Sequence, residues 1–166
     1  MITLNRRNFL VTIPIALTAC SAGADELLSR EAENPASSSA LPLMVVYKTP
    51  TCGCCGDWID HLRGEGFGVR VHDVADTTPM AQRLGVPNTM RSCHTAEIDG
   101  YAIEGHVPAR EIHRLLTERP EAAGLAVPGM PLGSPGMEMG DRRDAYAVLL
   151  FDRSGRIENY AQYPAS

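Results

Sequence analysis

The pattern of apolar and polar positions predicts alternating strands and helices along the middle of the chain. Short apolar runs indicate buried strands, and apolar positions three or four residues apart indicate helices with one buried face. Glycine and proline interrupt the pattern where each element would end. The first predicted elements are a strand at 43–47, a helix carrying Trp58, Ile59 and Leu62, a strand at 69–74, and a helix beginning near Thr78-Pro79.

The next part of the pattern predicts a hairpin, a third helix and a second hairpin. An Asp-Gly pair at 99–100 separates two apolar segments, 95–98 and 101–104, and this pair is typical of a two-residue hairpin turn. The remaining predicted elements are a helix from Pro108, a loop at 127–140, and a hairpin of 145–151 and 157–160 that extends the sheet.

The resulting order, β-α-β-α-β-β-α followed by a C-terminal β-hairpin extension, predicts an α/β protein with a thioredoxin-like fold. Two parallel strands joined by a helix, followed by a helix and an antiparallel hairpin, make a four-stranded sheet with helices on both faces. In thioredoxins and glutaredoxins the active-site motif lies between the first strand and the first helix. A cluster of cysteines at 52–55 falls in the same place here.

The N-terminus is typical of an export signal. We divide the chain into a signal peptide at 1–19, a flexible tether at 20–42 and a domain at 43–166. Arg6-Arg7 precedes an apolar run that is too short to span a bilayer, as in twin-arginine signals. The residues before Cys20 resemble a lipoprotein signal, which predicts a periplasmic protein anchored by a lipid on Cys20. Cleavage after residue 24 is the alternative and would discard Cys20.

The charge of the chain argues against binding to nucleic acid. The formal net charge is −5, and removal of residues 1–19 takes away Arg6 and Arg7 but no acidic residue. The mature chain would therefore be more negative still, which is unfavourable beside a phosphate backbone. We expect contact with the membrane only through the anchor on Cys20.

Three cysteines, Cys52, Cys54 and Cys55, crowd into four positions. A thiolate at the start of a helix is stabilised by the helix dipole and by free N–H groups, which suits it to redox exchange or to a soft metal. Disulfides from both Cys54 and Cys55 would crowd one turn, whereas a metal could bind both. Cys93 and His94 precede the predicted third strand, and we expect the fold to bring them beside the other three cysteines.

Four thiolates and an imidazole form a soft site that suits Cu(I), Zn(II) or an iron–sulfur cluster. Methionines in the 127–140 loop favour Cu(I), because a thioether is a good Cu(I) ligand and does little for zinc; filling apolar gaps is their alternative role. Crowded thiolates can bridge ions, which predicts a polynuclear Cu(I) cluster. The predicted metal-binding residues are Cys52, Cys54, Cys55, Cys93, His94 and Met137.

Five segments, at 47–55, 92–95, 105–108, 128–131 and 133–138, together match one known pattern. With the Cys-Gly-Cys-Cys motif in the first of them, the chain resembles the CopG-like family of exported copper-resistance proteins, a domain of unknown function. The resemblance implies a thioredoxin-like fold and a role in copper tolerance, through a change in the copper oxidation state. It also implies that copper binds at Cys52, Cys54, Cys55 and Cys93.

The leading functional prediction is a periplasmic protein that holds Cu(I), passes it to a copper chaperone or efflux partner, or interconverts Cu(I) and Cu(II). A thiol–disulfide oxidoreductase is the second: Cys52 would attack and Cys55 would resolve, although Cys54 and Cys93 would compete for the disulfide. The third prediction is a structural domain whose fold is stabilised by a zinc ion or by disulfides. His106 would either support the metal site or cap the third helix.

Overall fold

The computed structural model describes residues 41–166, which belong to one compact unit. The predicted export signal, the predicted anchor at Cys20 and most of the predicted tether lie outside the described residues. Leu41, at the end of that tether, packs against the core. Within residues 41–166 there is no helix with the length and apolar character needed to span a bilayer.

The described residues form seven strands and three α-helices. The strands are β1 (Met44–Lys48), β2 (Val69–Asp73), β3 (His94–Ile98), β4 (Tyr101–Glu104), β5 (Gly124–Ala126), β6 (Tyr146–Phe151) and β7 (Ile157–Tyr163). The helices are α1 (Gly53–Gly64), α2 (Thr78–Leu84) and α3 (Ala109–Glu118), with a short 3₁₀ turn at Asn88–Met90. The predicted order from β1 to α3 is confirmed, and so is the C-terminal hairpin.

All seven strands belong to one mixed sheet in the order β2-β1-β3-β4-β5-β6-β7. Strands β1 and β2 are parallel and joined by α1, whereas β3 runs antiparallel to both β1 and β4. The tight turn between β3 and β4 is the predicted Asp-Gly pair. Asp99 and Gly100 both have positive φ, +49° and +85°, as a two-residue hairpin turn requires.

The pattern of the sequence did not predict β5. This strand has only three residues, too few to establish an alternating pattern, and it pairs in parallel with β4 and antiparallel with β6. Gly124 lies so close to the backbone of Ala102 that a Cβ atom there would collide with the Ala102 carbonyl. The C-terminal hairpin therefore extends the sheet as predicted, but it does so through β5. The pairing of β5 with β4 requires a glycine at position 124, because a side chain there would collide with Ala102.

Helices cover both faces of the sheet, as predicted. Along β4, Ile103 packs with apolar residues of α1 and α3, whereas its neighbour Ala102 packs with apolar residues of α2. Because successive side chains of a strand point to opposite faces, α2 lies opposite the other two helices. Trp58 of α1 is fully buried and donates its Nε1–H to the Val107 carbonyl at 2.9 Å. This bond holds the middle of α1 beside the segment that precedes α3.

Candidate metal centre

Three of the predicted ligands lie at the start of α1. Cys52 is the N-cap residue, and its N–H donates to the Thr49 carbonyl at 3.2 Å. Cys54 and Cys55 occupy the first turn, where the helix leaves backbone N–H groups without partners inside the helix. Cys55 is fully buried, whereas Cys52 and Cys54 are half-buried and can be reached from solvent.

The fourth cysteine, Cys93, is positioned by the buried carboxylate of Glu104 on β4. This side chain is 0% exposed and accepts hydrogen bonds from the Ser92 N–H (2.7 Å), the Thr95 hydroxyl (2.6 Å) and Arg91 Nε (3.3 Å). Burial raises the pKa of Glu104, and the three donors oppose that rise. The residues on both sides of Cys93 are thereby tied to β4, which leaves Cys93 little freedom to move.

The structure brings the four cysteines together. The Sγ atoms of Cys52, Cys54, Cys55 and Cys93 all lie within 4.8 Å of one another. The sulfurs of Cys52 and Cys54 are 3.6 Å apart, and the Cys55 sulfur lies 3.8 Å from the Cys93 carbonyl oxygen. Sulfurs this close can share one soft ion, or bridge several, after only small side-chain movements.

Two of these sulfurs are joined in a disulfide. Cys52 and Cys55 form the bond, with Cα atoms 5.4 Å apart, and Cys54 and Cys93 are free thiols. All four sulfurs can act as thiolate ligands only after this disulfide is reduced. The bonded pair is the Cys-x-x-Cys pair on which the oxidoreductase alternative depends.

Two imidazole rings bring nitrogen atoms to Cys93. The Cys93 sulfur lies 3.1 Å from His106 Nε2 and 3.4 Å from His94 Nδ1, and the three ligand atoms lie within 4.8 Å of one another. His106 Nδ1 is 2.8 Å from the Pro135 carbonyl, which can only accept a hydrogen bond. The proton of neutral His106 is therefore on Nδ1, and the Nε2 lone pair faces Cys93. Such a carbonyl partner is typical of metal-binding histidines.

Burial keeps both imidazoles neutral. Burial, followed by repulsion from His106, lowers the pKa of His94 to about 3, and burial also lowers the pKa of His106. The His94 ring packs on Trp58 with centroids 4.2 Å apart, and its Nε2 has no hydrogen-bond partner among residues 41–166. Neutral imidazole is the form that binds metal ions.

The metal-free state of Cys93 is a thiol. Burial, and then the nearby Cys54, raise the pKa of Cys93 to about 12. A thiol at this position can donate its proton to His106 Nε2, which faces it. A metal ion that binds the sulfur would displace this proton.

The predicted ligand Met137 lies in a loop that packs on the start of α1. We call residues 127–140 the methionine loop. Gly136 has φ +81°, and a Cβ atom there would lie 2.6 Å from the Trp58 nitrogen and 2.8 Å from the Cys54 carbonyl oxygen. Met137 follows Gly136 directly and is half-buried. The loop is thus close to the cysteine cluster, and the binding of metal by the Met137 thioether stays a prediction.

His106 does not cap α3, which corrects one of the two roles considered for it. The N-cap of α3 is Pro108, which makes no side-chain capping bond, and the Ala109 N–H donates instead to His61 Nε2 at 3.2 Å. His106 faces Cys93. Sequence reasoning left His106 out of the ligand set, although it lies in the 105–108 segment, one of the five that match the CopG-like pattern.

Two solved structures resemble the chain over most of its length. One, named "Copper resistance protein copG- Form 1", is 55% identical; the match covers 74% of this chain and 98% of that chain, with a TM-score of 0.71. The second, named "Copper resistance protein copG- Form 2", is 52% identical, and the match covers 75% and 99% with a TM-score of 0.72. The chain belongs to the CopG family.

The family profile described as "Protein of unknown function, DUF411" also matches, over residues 90–137. No curated protein matches the chain. The matched region contains Cys93, both ring partners of its sulfur and most of the methionine loop, but not the cysteines of α1. The resemblance to the CopG-like family inferred from the motifs is therefore confirmed.

Proposed function

We propose that this CopG-family protein binds Cu(I) as its cargo on Cys52, Cys54, Cys55 and Cys93, and that it acts in copper resistance. The observation that carries the proposal is the convergence of four sulfurs from two distant segments within 4.8 Å. Soft thiolates favour Cu(I), and the crowding of the sulfurs favours a small polynuclear cluster with bridging thiolates. The names of the two relatives, which refer to copper resistance, support the choice of metal.

Neutral nitrogen donors complete the proposed site. His94 and His106 each direct a ring nitrogen at Cys93, and the Pro135 carbonyl fixes the tautomer of His106. Imidazole binds both Cu(I) and Cu(II), so a site of this composition can hold copper in either oxidation state. Met137 would add a thioether from the methionine loop.

The disulfide between Cys52 and Cys55 supports a redox role for the same residues. When two thiols form this disulfide, they release two protons to solvent and two electrons, which reduce two Cu(II) ions to Cu(I). In the reverse reaction the disulfide takes two electrons from two Cu(I) ions, which become Cu(II), and two protons from solvent, and again becomes a dithiol. The protein would thereby interconvert the two copper states and pass copper to a periplasmic chaperone or an efflux protein.

The test is a copper titration of the reduced protein without oxygen, followed by X-ray absorption at the copper edge. We expect sulfur-dominated coordination and a short copper–copper distance, with the copper content and the sulfur signal both reduced in Cys93→Ser. His72→Gln, on the outer strand β2, is the matched control and should behave as the unaltered protein. Substoichiometric copper, or predominant zinc in protein from copper-supplemented cells, would contradict the proposal.

A thiol–disulfide oxidoreductase is the second candidate, and the observed Cys52–Cys55 disulfide is the observation in its favour. In this function the Cys52 thiolate attacks a substrate disulfide and Cys55 resolves the mixed disulfide. The discriminating measurement is insulin reduction by metal-free protein. Turnover that survives Cys54→Ser and Cys93→Ser would favour this candidate, because only copper binding needs all four sulfurs.

We also propose that the protein is exported to the periplasm and anchored through a lipid on Cys20. The paired arginines and the following apolar run support export, and the residues before Cys20 support lipidation. Mass spectrometry of the membrane fraction tests both steps. A lipid-modified N-terminus at Cys20 is expected, whereas an unmodified N-terminus at Asp25 would exclude the anchor.

A further inference from the structure

Two thioethers of the methionine loop are exposed, although residues 131–137 of the same loop are buried or half-buried. Met130 is 52% exposed and Met139 is 68% exposed, whereas Met137 between them is half-buried. Burying a methionine side chain stabilises a protein by about 2 kcal/mol, so an exposed methionine adds little to the stability of this fold. A role outside packing is therefore open to both side chains.

Met130 is tied to the metal centre by one side chain. The Ser92 hydroxyl donates to the Gly129 carbonyl at 2.6 Å, and this bond ties the methionine loop to the residue next to Cys93. Gly129 precedes Met130 directly, as Ser92 precedes Cys93. The Ser92 hydroxyl therefore joins the residue before Met130 to the residue before Cys93.

We propose that Met130 is the entry and exit ligand of the site, at which Cu(I) arriving from a soft-ligand donor first binds before it passes to Cys93. The inference rests on the proposed function, because it requires the cysteines to bind Cu(I). The step is ligand exchange without redox change: the Met130 sulfur forms a bond to Cu(I) as one donor ligand leaves. The Cys93 sulfur then replaces Met130, and the thiol proton passes to solvent.

The chemistry of a thioether suits this role. A thioether is neutral and carries no proton, so it can bind Cu(I) at any pH and can release it without charge separation. Thiolates bind the ion more tightly, so the final affinity depends on the cysteines and the rate of transfer depends on Met130. Loss of the thioether should therefore slow transfer without weakening the equilibrium complex.

The experiment measures the transfer of Cu(I) from the coloured bicinchoninate complex to the reduced protein by stopped flow without oxygen. For Met130→Leu we expect transfer about tenfold slower, in both directions, with an equilibrium affinity within about twofold of the unaltered protein. Leucine is similar in size and apolar character, and the near-UV circular dichroism should stay unchanged. Met80→Leu, on α2, is the control for loss of a thioether elsewhere and should leave the rate unchanged.

Each other outcome has a defined meaning. An unchanged rate of Cu(I) transfer for Met130→Leu overturns the inference. A slower rate for Met139→Leu alone also overturns it, because Met139 would then be the entry ligand. A weaker equilibrium complex with an unchanged rate also overturns it, because Met130 would then be a ligand of the bound state. If the unaltered protein removes no copper from bicinchoninate, the proposed function itself fails and the entry ligand with it.

Discussion

Glu104 is the residue on which the position of Cys93 most depends. It is a fully buried carboxylate that satisfies three donors on the two sides of Cys93, and no apolar side chain could replace those bonds. Buried donors that lose an acceptor cost more than the bond itself contributed. The role of Glu104 is therefore to position the sulfur rather than to bind copper.

We predict that Glu104→Ala destabilises the protein and disorders the Cys93 loop. The free energy of unfolding, measured with urea, should fall by about 1–3 kcal/mol, because the Ser92 N–H and the Thr95 hydroxyl lose their acceptor. Copper affinity should fall as well. Glu97→Ala is the matched control: its carboxylate pairs with Arg83 near the surface and should contribute less than about 1 kcal/mol. Equal effects of the two substitutions would contradict the assignment.

At the scale of elements, the candidate metal centre lies where the methionine loop packs on α1. Gly136 packs directly on the first turn of α1 and has a left-handed backbone. Gly140, in the same loop, shares the positive φ (+65°), but no atom lies within 4 Å of the position that a Cβ atom would take there. A comparison of alanine substitutions at the two glycines therefore distinguishes the cost of a strained backbone from the cost of close packing.

We predict that Gly136→Ala disturbs the site more than Gly140→Ala. Both substitutions place an alanine in the left-handed region, which costs about 1–2 kcal/mol. Gly136→Ala also forces the loop away from Trp58 and Cys54, and the added overpacking should cost about 1–3 kcal/mol more. Urea denaturation measures the difference. Copper transfer rates should change only for Gly136→Ala, and similar losses for both variants would show that the contact with α1 is unimportant.

The turn between β6 and β7 is held by one carboxylate. Asp152 accepts hydrogen bonds from the N–H groups of Ser154 (2.8 Å) and Arg156 (3.0 Å) and from the Ser154 hydroxyl (2.6 Å). The hydroxyl of Ser154, followed by the N–H groups of Arg156 and Ser154 and then the Arg156 side chain, lowers the pKa of Asp152 from 3.8 to about 2. The ionised form therefore stabilises the folded hairpin.

We predict a pH-dependent effect of Asp152→Asn on thermal stability. A carboxyl whose pKa is lower in the folded state stabilises it fully above pH 3.8 and loses this contribution as the pH falls through about 2. The melting temperature of Asp152→Asn should thus lie below that of the unaltered protein at pH 7, and the gap should close near pH 2. Asp141→Asn, at an exposed loop position, should show no such gap at any pH.

At the scale of the whole molecule, the apolar core is formed without the metal centre. One cluster joins β1, β3, β4, β5 and β6 to α1 and α3, and a second joins the opposite face of the sheet to α2. Most of their side chains come from the sheet and the helices, with a few from loops, and neither cluster includes a cysteine. We therefore expect the fold not to depend on a bound metal ion.

We predict that the reduced, metal-free protein stays folded. The Cys52–Cys55 disulfide closes a loop with a sequence separation of 3. A loop this short contributes only about 2 kcal/mol by the chain-entropy argument, against about 5–15 kcal/mol for a typical domain. Near-UV circular dichroism with a reductant and a chelator should keep the native signal. Loss of this signal would favour the alternative in which zinc or disulfides stabilise the fold. Cys54→Ser, which removes a free thiol but not the disulfide, is the control.

Most of the fold could be predicted from local pattern. The helical stripe of Trp58, Ile59 and Leu62, the Asp-Gly turn and the order of elements are all confirmed, because each depends on residues close together in sequence. The helix predicted to begin near Thr78-Pro79 is α2, and Thr77 is its N-cap residue. Strand β5 could not be predicted, since its three residues gain strand geometry only by pairing with β4 and β6.

The sequence alone determined the family, the succession of strands and helices, and the cysteines that could meet at the start of α1. These follow from residue periodicity, turn chemistry and recurring motifs. Only the tertiary structure decided that Cys52 pairs with Cys55, that His106 faces Cys93 while His61 caps α3, and that Glu104 holds the Cys93 loop. Those features depend on distances between side chains that are far apart in the sequence. The packing of the whole domain determines these distances, and no local pattern in the sequence encodes them.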